Sequence, residues 1–479
     1  MKKFISLLLT FTLCCSVFLM TSCEKDDDGD ERYENSYPTE YVRLSDGVSA
    51  DMMRADYWIE RAENAGSVLM TADQIASFNS KNSKLIRWGD EDISLNDVPE
   101  TADGDAVRYY LEEKMPEDPT AYYINGKKAT KEYFDAIDAN RALDTIGDTV
   151  KIRFGFSVRR AELRTYPTND FGVTDPDDLF YDDLLSSQCL PYLPVVILHE
   201  SADGNWYYVF FNGFGGWVSA DAIALCESRE DWLKRQTPTE FLVVTGREIR
   251  LPYDQGCKQL SSLLLPMGTV LPLVKTEDAP FSVRMRIGYG CYTVLLPIRG
   301  DDGMIKDEYA FVSASEDVSV GYIPYTSENV IRQAFKLSGD RYGWGGSGYS
   351  NDCSGVLGEI FRCFGFAIPR VASLIISANS MKTTDLSEMT DAERMAEILK
   401  YPAGSMMFFP GHIMLYLGVV DNEPYVISSV GTFATMDMTD GDYLYADTVN
   451  INALTKTKRG SGKTWLASIT VIGIPEYSD

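Results

Sequence analysis

The sequence predicts an α+β chain of several domains, in which a helical N-terminal domain and two small β-barrels precede a last domain that mixes helices and strands. Three observations support this prediction. The chain has 479 residues, enough for about three domains, and 45% of them are hydrophobic, which suffices for packed cores. Helical patterning prevails over residues 49–148. Short β-rich runs separated by turn residues then occupy residues 149–324.

The chain begins with the pattern of a bacterial export signal. Two lysines precede a mostly apolar run over residues 4–20, and small residues stand before Cys23. We therefore predict a lipoprotein signal peptide over residues 1–22, which is removed, and a diacylglycerol on the thiol of Cys23. A short transmembrane anchor is the weaker alternative, because the run is at the low end of the ~20 residues that a spanning helix needs. The charged residues after Cys23 predict a lipidated tether over residues 23–48.

Lipidation indicates where the protein is located, and charge and composition exclude several classes of partner and cofactor. Lipidation would hold the protein at the membrane through the lipid alone, in a Gram-negative envelope, on the periplasmic or the surface face of the outer membrane. The net charge of −27 argues against a nucleic-acid partner, because phosphate binding needs clustered Lys and Arg. Two histidines in the whole chain exclude a histidine-rich metal site, and the scattered cysteines form no close-spaced metal pair or disulfide framework. We expect no metal, no cofactor and a monomer.

Individual elements can be placed in the first three domains. Thr71 to Gln74 resembles a capping box at a helix start, and residues 130–143 predict a second helix. The first barrel, with a helical connector at its end, is assigned to residues 149–235, and the second to residues 236–324. In the first barrel, Asp203-Gly204-Asn205 predicts a hairpin turn between two strands.

The last domain, residues 325–479, carries a candidate nucleophile. Cys353 follows a loop containing Trp344-Gly345-Gly346, and an apolar face at helical spacing continues after it to Gly365, so it lies in the first turn of a predicted helix. Asn351 or Asp352 can cap that helix. The positive end of a helix dipole favours the thiolate, so we expect a lowered pKa for Cys353. A lone cysteine is more often buried and inert, which is the interpretation we give to Cys363.

One of the two histidines is a candidate base. His412 opens a predicted strand 59 positions after Cys353. An isolated histidine of this kind is more often structural, and we interpret His199, in the first barrel, in that way. Together with a thiol at a helix start, His412 is predicted to act as general base.

Two regions resemble a known family. Tyr342-Gly343-Trp344-Gly345-Gly346, Asp352-Cys353-Ser354-Gly355 and Gly411-His412-Ile413-Met414-Leu415-Tyr416 resemble the motifs of NlpC-type cell-wall cysteine peptidases. The stretch Val158 to Thr168, with Gly215-Gly216-Trp217-Val218, is similar to the first bacterial Src-homology-3-like barrel of multidomain members. The resemblance implies a papain-like catalytic domain over residues 325–479, two such barrels, and a clip-like stabilising domain over residues 49–148.

The resemblance also implies a reaction and a set of site residues. Family members hydrolyse murein stem peptides, typically between γ-D-glutamate and a diamino acid, and members with these barrels often need a free N-terminal L-alanine. By resemblance, Asp352 binds that amine, Tyr342 helps line the oxyanion site and Ser354 contacts substrate. The first barrel contributes to the pocket wall, where Tyr181, Asp182 and Asp183 are candidates.

The third triad position departs from the family pattern. A histidine is common there, whereas Ser428 stands at the matching place on the strand after His412. A serine oxygen can accept a hydrogen bond from an imidazole N–H, but it is uncharged and stabilises an imidazolium less.

Three functions remain open at this point. The leading prediction is a γ-D-glutamyl-L-diamino acid endopeptidase that acts through Cys353, His412 and Ser428. The alternative is a non-catalytic lipoprotein that binds cell-wall peptide and has a degraded triad. Acyl transfer from the same thiol to another acceptor is a third possibility.

Overall fold

The computed structural model describes residues 41–112, 114–211 and 213–476, so the predicted signal peptide and the lipidation site at Cys23 lie outside the described residues. The end of the predicted tether is docked on the last domain. The Asn450 amide donates to Ser45 Oγ at 3.0 Å, and the Tyr425 hydroxyl donates to the Gly47 carbonyl at 2.8 Å. Within these ranges, we find no helix with the length and apolar character needed to cross a membrane.

The N-terminal region contains the predicted helices together with short strands that the sequence did not predict. The predicted capping box is confirmed: Thr71 accepts from the amide of Gln74, and the Gln74 side chain accepts from the amide of Thr71. Thr130 caps the second predicted helix. The elements are α1 (Ala55–Ile59), β1 (Val68–Met70), α2 (Ala72–Lys81), β2 (Lys84–Trp88), β3 (Glu91–Ser94), β4 (Thr101–Asp103), α3 (Gly104–Leu111), β5 (Tyr123–Ile124), β6 (Lys127–Lys128), α4 (Lys131–Arg141) and β7 (Thr149–Lys151).

An antiparallel sheet of seven strands follows. Its elements are β8 (Arg153–Ser157), β9 (Ala161–Arg164), β10 (Gly172–Val173), β11 (Leu185–Cys189), β12 (Pro194–Glu200), β13 (Trp206–Phe211), β14 (Phe214–Ser219), β15 (Ile223–Leu225) and the connector helix α5 (Arg229–Arg235). The strand order is β11-β9-β14-β13-β12-β8-β15, while the short β10 pairs with β5 instead. The predicted turn is confirmed, with Gly204 at a φ of 71°.

Both faces of this sheet are buried. Val195 and Ile197 of β12 join one apolar cluster, whereas Val196 and Leu198 join another that includes Leu111 of the N-terminal region. Alternate side chains of a strand point to opposite faces. The first barrel and the N-terminal region therefore share a core.

The second β-rich region forms a smaller antiparallel sheet. Its elements are β16 (Phe241–Val244), β17 (Glu248–Arg250), β18 (Leu264–Pro266), β19 (Val270–Val274), β20 (Cys291–Arg299), β21 (Ile305–Ser313) and β22 (Val318–Val320). The sheet order is β21-β20-β19-β16-β22, and β17 pairs with β18 separately.

The last domain packs helices against a six-stranded antiparallel sheet of order β24-β29-β25-β26-β27-β28. Its elements are β23 (Tyr325–Thr326), α6 (Ser327–Lys336), α7 (Cys353–Arg362), α8 (Ala372–Ile376), β24 (Met381–Asp385), α9 (Asp391–Ile398), β25 (Met406–Phe409), β26 (His412–Val420), β27 (Glu423–Phe433), β28 (Leu444–Ala453), α10 (Trp465–Ser468) and β29 (Val471–Pro475). Helix α7 packs against β26 and β27. Trp58 and Phe78 of the N-terminal region belong to the same core.

Candidate active site

Cys353 is the first residue of α7, as predicted. Asp352 is the N-cap, and its carboxylate accepts from the Gly355 amide at 2.8 Å. The Cys353 thiol lies against the backbone N–H of Ile413, the second residue of β26. The packing of α7 on β26 thus brings the candidate nucleophile to the strand that His412 opens.

His412 is held by the neighbouring strand. Its Nε2 lies 3.0 Å from Ser428 Oγ on β27. The rings of Phe409 and Trp465 lie 5.4 and 5.3 Å from the imidazole. Across the described residues, the imidazole makes no hydrogen bond with the Cys353 thiol, and its Nδ1 has no hydrogen-bond partner. Because Nε2 is engaged by Ser428, Nδ1 is the nitrogen that can receive a proton. Catalytic hydrogen bonds often form only in the substrate complex.

Burial changes the expected charge state of the pair. It raises the pKa of the Cys353 thiol to about 12, and the negative charge of Asp352 adds to this effect. The Ile413 and Ser354 amides and the guanidinium of Arg370 favour the thiolate, but their effect is smaller. Burial lowers the pKa of His412 to about 4, and the charge of Arg459 contributes. The expectation of a lowered thiol pKa was therefore wrong, because desolvation outweighs the helix terminus.

Asp352 is engaged within the protein. Its oxygens accept from Arg370 Nη1 and Nη2 at 2.8 and 2.6 Å, from the Gly345 amide at 3.2 Å and from Ser354 Oγ at 3.1 Å. Arg370 also donates to Ser354 Oγ at 2.7 Å. Arg370 lowers the pKa of the Asp352 carboxyl. A substrate amine at Asp352 would share this carboxylate with Arg370.

Tyr342 lies close enough to Cys353 for the charges of Cys353 and Asp352 to add to the effect of burial, which raises the pKa of the Tyr342 hydroxyl. The hydroxyl therefore stays protonated and can donate a hydrogen bond. Tyr181 of the first barrel packs edge-on against Tyr342 and Trp344, with ring centroids 6.3 and 5.6 Å apart.

The other two barrel candidates have structural roles in the described contacts. Asp182 is buried, pairs with Arg164 at 2.6 Å and accepts from two backbone amides. Asp183 accepts from the amide of Thr174 at 2.9 Å. Of the three candidates, Tyr181 is the one that the structure brings to Tyr342.

The first barrel also supports the loop before the nucleophile. Arg160 Nη2 donates to the Ser350 carbonyl at 2.7 Å, and Gln188 Nε2 donates to Asn351 Oδ1 at 2.9 Å. From the other side, Ser429 Oγ donates to the Asn351 carbonyl at 2.8 Å. Gly346 has a φ of 97°, and an added Cβ there would overlap the side chain of Gln188. The glycine-rich loop is therefore shaped by its contact with the barrel.

The residues that we interpreted as structural do lie away from the site. His199 Nε2 lies 2.9 Å from the Arg141 carbonyl, and Cys363 is fully buried. In the described part of the chain, no group of three or more His, Cys, Asp or Glu side chains could hold a metal ion.

Several site residues were not anticipated from the sequence. Phe409, Trp465 and Arg459 surround His412, and Arg160 and Gln188 hold the nucleophile loop. Phe409 ends β25 just before His412, whereas Trp465 opens α10 and Gln188 lies on β11. They carry no local motif, and only the folded structure brings them to the site.

Comparisons with known proteins identify two parts of the chain. A model of the SH3 domain (SH3b1 type) matches residues 174–219, and the NlpC/P60 family model matches residues 339–457. The structure is similar to that of an NlpC/P60 endopeptidase from Photobacterium damselae subsp. piscicida, with a TM-score of 0.66 at 16% identity, over 89% of this chain and 97% of the other. At that identity, the likeness establishes the fold.

Two curated relatives show closer sequence similarity. The γ-D-glutamyl-L-lysine dipeptidyl-peptidase of Bacillus subtilis (strain 168) is 30% identical over 258 residues, which are 50% of this chain and 71% of the relative. Dipeptidyl-peptidase 6 of Lysinibacillus sphaericus is 29% identical over 147 residues, which are 30% of this chain and 43% of the relative. The family resemblance is thus confirmed, and this chain belongs to the NlpC/P60 family of peptidases.

Proposed function

We propose that the protein hydrolyses murein stem peptides at the amide between γ-D-glutamate and an L-diamino acid, with Cys353 as nucleophile. The observation that carries this proposal is the placement of the Cys353 thiol against Ile413 while Nε2 of the preceding His412 is held by Ser428. The name of the Bacillus subtilis relative, a γ-D-glutamyl-L-lysine dipeptidyl-peptidase, supports the choice of bond.

The raised pKa of Cys353 and the lowered pKa of His412 imply a neutral resting pair. In the proposed reaction, Nδ1 of His412 removes the thiol proton as the sulfur attacks the amide carbonyl. The resulting imidazolium gives this proton to the leaving amine, so that a thioester remains on Cys353. Water, deprotonated by His412, then attacks the thioester carbonyl and the C–S bond breaks, which frees the acid. The imidazolium returns its proton to the sulfur of Cys353, so the neutral pair is restored.

Three further residues take roles in the proposal. The protonated hydroxyl of Tyr342 donates to the oxyanion that forms on the carbonyl oxygen. Ser354 and Asp352 receive the free amine of the N-terminal L-alanine, with Arg370 fixing the position of the carboxylate. Tyr181 of the first barrel closes the pocket beside Tyr342.

We further propose that a lipid on Cys23 anchors the monomeric protein in a Gram-negative envelope. This proposal rests on the sequence pattern of residues 1–23. Mass spectrometry of the protein purified from its membrane fraction should find Cys23 acylated and the preceding residues removed. An unprocessed N-terminus would contradict it.

The proposed function is tested by identifying products. Wild-type protein is incubated under reducing conditions with L-Ala-γ-D-Glu-L-Lys and L-Ala-γ-D-Glu-meso-diaminopimelate, each with a free or an acetylated N-terminus. We expect mass spectrometry to find L-Ala-D-Glu from at least one free peptide and much less from its acetylated form. Absence of this product from every peptide, between about pH 5 and pH 9, would contradict the proposal.

Ser428 in place of the common histidine favours the second candidate, a protein that binds cell-wall peptide without cleaving it. Calorimetry with the same peptides separates the two functions. Binding without any product would support this second candidate, whereas release of L-Ala-D-Glu would exclude it.

A further inference from the structure

Arg459 lies beside His412 and has no ion-pair partner among the described residues. Its Nη2 donates to the Pro410 carbonyl at 3.1 Å, and its guanidinium carbon lies 4.6 Å from the centroid of the Phe409 ring. The same ring contacts the imidazole of His412. A guanidinium has five N–H donors, so most of the donors of Arg459 remain available to a ligand.

The chemistry of the reaction fixes which part of a substrate meets this region. His412 must give its proton to the leaving amine, so the leaving residue has to stand against the imidazole. In an L-diamino acid, the carbon next to the scissile nitrogen also carries the α-carboxyl group. This group is ionised when the peptide ends at that residue, and it is an amide when the peptide continues.

We propose that Arg459 binds the free α-carboxylate of the diamino acid on the leaving side, so that the site selects stem peptides that end at this residue. This inference rests on the proposed function, and it adds a terminal carboxylate to the substrate class. Arg and carboxylate form strong, directional hydrogen bonds, which suits a specificity contact.

Binding of an anion here would also act on the base. In the free protein, burial lowers the pKa of His412, the charge of Arg459 adds to this effect, and the charge of Asp352 opposes it. A carboxylate on Arg459 offsets this charge, and it thereby favours the imidazolium that protonates the leaving amine. The substrate would thus promote its own proton transfer.

Kinetics with paired peptides test the inference. Wild type is compared with Arg459→Gln and Arg459→Lys on L-Ala-γ-D-Glu-L-Lys and on its C-terminal carboxamide. We expect wild type to prefer the acid by about 10-fold or more in kcat/KM, Arg459→Lys to keep part of this preference and Arg459→Gln to lose it. The matched control is Lys463→Gln, which removes a charge from an exposed side chain of the same loop, and it should behave as wild type.

A pH profile distinguishes an electrostatic effect of Arg459 on His412 from a purely structural role of the Arg459 side chain. Arg459→Gln should raise the pKa of His412, so the acid limb of kcat/KM should move to higher pH, while Lys463→Gln should leave it in place. An unmoved limb in Arg459→Gln would contradict the role of the charge.

Binding to an inactive protein keeps the test independent of turnover. Calorimetry on Cys353→Ala should find the acid bound about 10-fold or more tightly than the carboxamide, and Cys353→Ala/Arg459→Gln should bind both equally. If wild type cleaves nothing while this Arg459-dependent preference is present, the proposed function fails and the inference stands. Cleavage of both peptides without preference overturns the inference alone, and absence of both cleavage and preference overturns both.

Discussion

At the scale of single residues, the side chains around the candidate nucleophile favour an uncharged pair. Ser428 offers His412 a hydroxyl rather than a charge, Phe409 and Trp465 bury the ring, and Arg459 opposes its protonation. His412 is therefore suited to take a proton from a neutral thiol during attack. A thiolate–imidazolium pair at rest would need the opposite environment.

The neutral pair predicts the pH dependence of activity. The pKa of His412 is lowered to about 4, so the imidazole stays neutral and able to act as base until the pH approaches that value. We expect kcat/KM, measured with the free stem tripeptide, to be flat from about pH 7 down to about pH 5 and to fall below that, because the α-amino group of the peptide itself begins to lose its proton above about pH 7. A loss of kcat above about pH 8 at saturating peptide, where the amine is already bound, would instead indicate that an imidazolium is required at rest.

Ser428 is predicted to act as a positioning residue for His412. Ser428→Ala removes the acceptor of Nε2, so we expect kcat to fall about 10-fold with little change in KM, because the ring loses one fixed hydrogen bond. Ser428→Thr keeps the hydroxyl and should retain most of the activity. Wild-type kcat in Ser428→Ala would show that packing by Phe409 and Trp465 orients the ring without it.

At the scale of elements, the site depends on one helix start, one strand start and one glycine-rich loop. Helix α7, its cap and the strand of His412 were predictable from short stretches of sequence, because capping residues and apolar periodicity depend on residues that are close together in the chain. The short strands β1 to β6 were missed: β1 and β4 pair with the distant strands β23 and β7, whereas β2–β3 and β5–β6 are hairpins of two to five residues per strand. The pKa of Cys353 was mispredicted for a similar reason, because burial depends on distant residues.

The glycine-rich loop gives a prediction with an internal control. Gly346 and Gly348 both have positive φ, but an added Cβ would overlap Gln188 only at Gly346, while the space at Gly348 is open. We expect Gly346→Ala to lower the free energy of unfolding by about 2 to 4 kcal/mol, and Gly348→Ala by about 1 kcal/mol. Urea denaturation measures both values.

Partial recovery of Gly346→Ala by Gln188→Ala would confirm that the contact with the barrel is responsible. Equal losses for Gly346→Ala and Gly348→Ala would mean that backbone strain alone accounts for the cost.

At the scale of the whole molecule, the N-terminal region joins the parts that form the site. It shares one core with the first barrel through Leu111 and another with the last domain through Trp58 and Phe78. The order of a region with helices, two β-rich regions and a last region that mixes helices and strands was predictable from changes in the residue pattern. Their mutual packing was not, because the contacting residues lie hundreds of positions apart, as with Asn82 and Asn379.

The contact of the first barrel with the site predicts an effect on specificity. Tyr181 packs against Tyr342 and Trp344, whereas its neighbour Phe180 stacks on Tyr445 at 4.3 Å. We expect Tyr181→Ala to reduce the preference for a free over an acetylated N-terminus about 10-fold, because the pocket loses one wall. Phe180→Ala serves as the matched control and should keep the preference. If both variants changed the kcat/KM preference equally, the contact between the first barrel and the last domain as a whole, rather than Tyr181 itself, would be responsible.

The central claim, that the sulfur of Cys353 performs the cleavage, is tested most directly by comparing two cysteine variants that lie on or next to the same helix. Under reducing conditions, kcat/KM for the free stem tripeptide is measured for wild type, Cys353→Ala and Cys363→Ala. We predict a fall of about 1000-fold or more for Cys353→Ala, and at most a few-fold for Cys363→Ala, whose buried thiol takes no part in the chemistry. Wild-type turnover by Cys353→Ala would contradict the account.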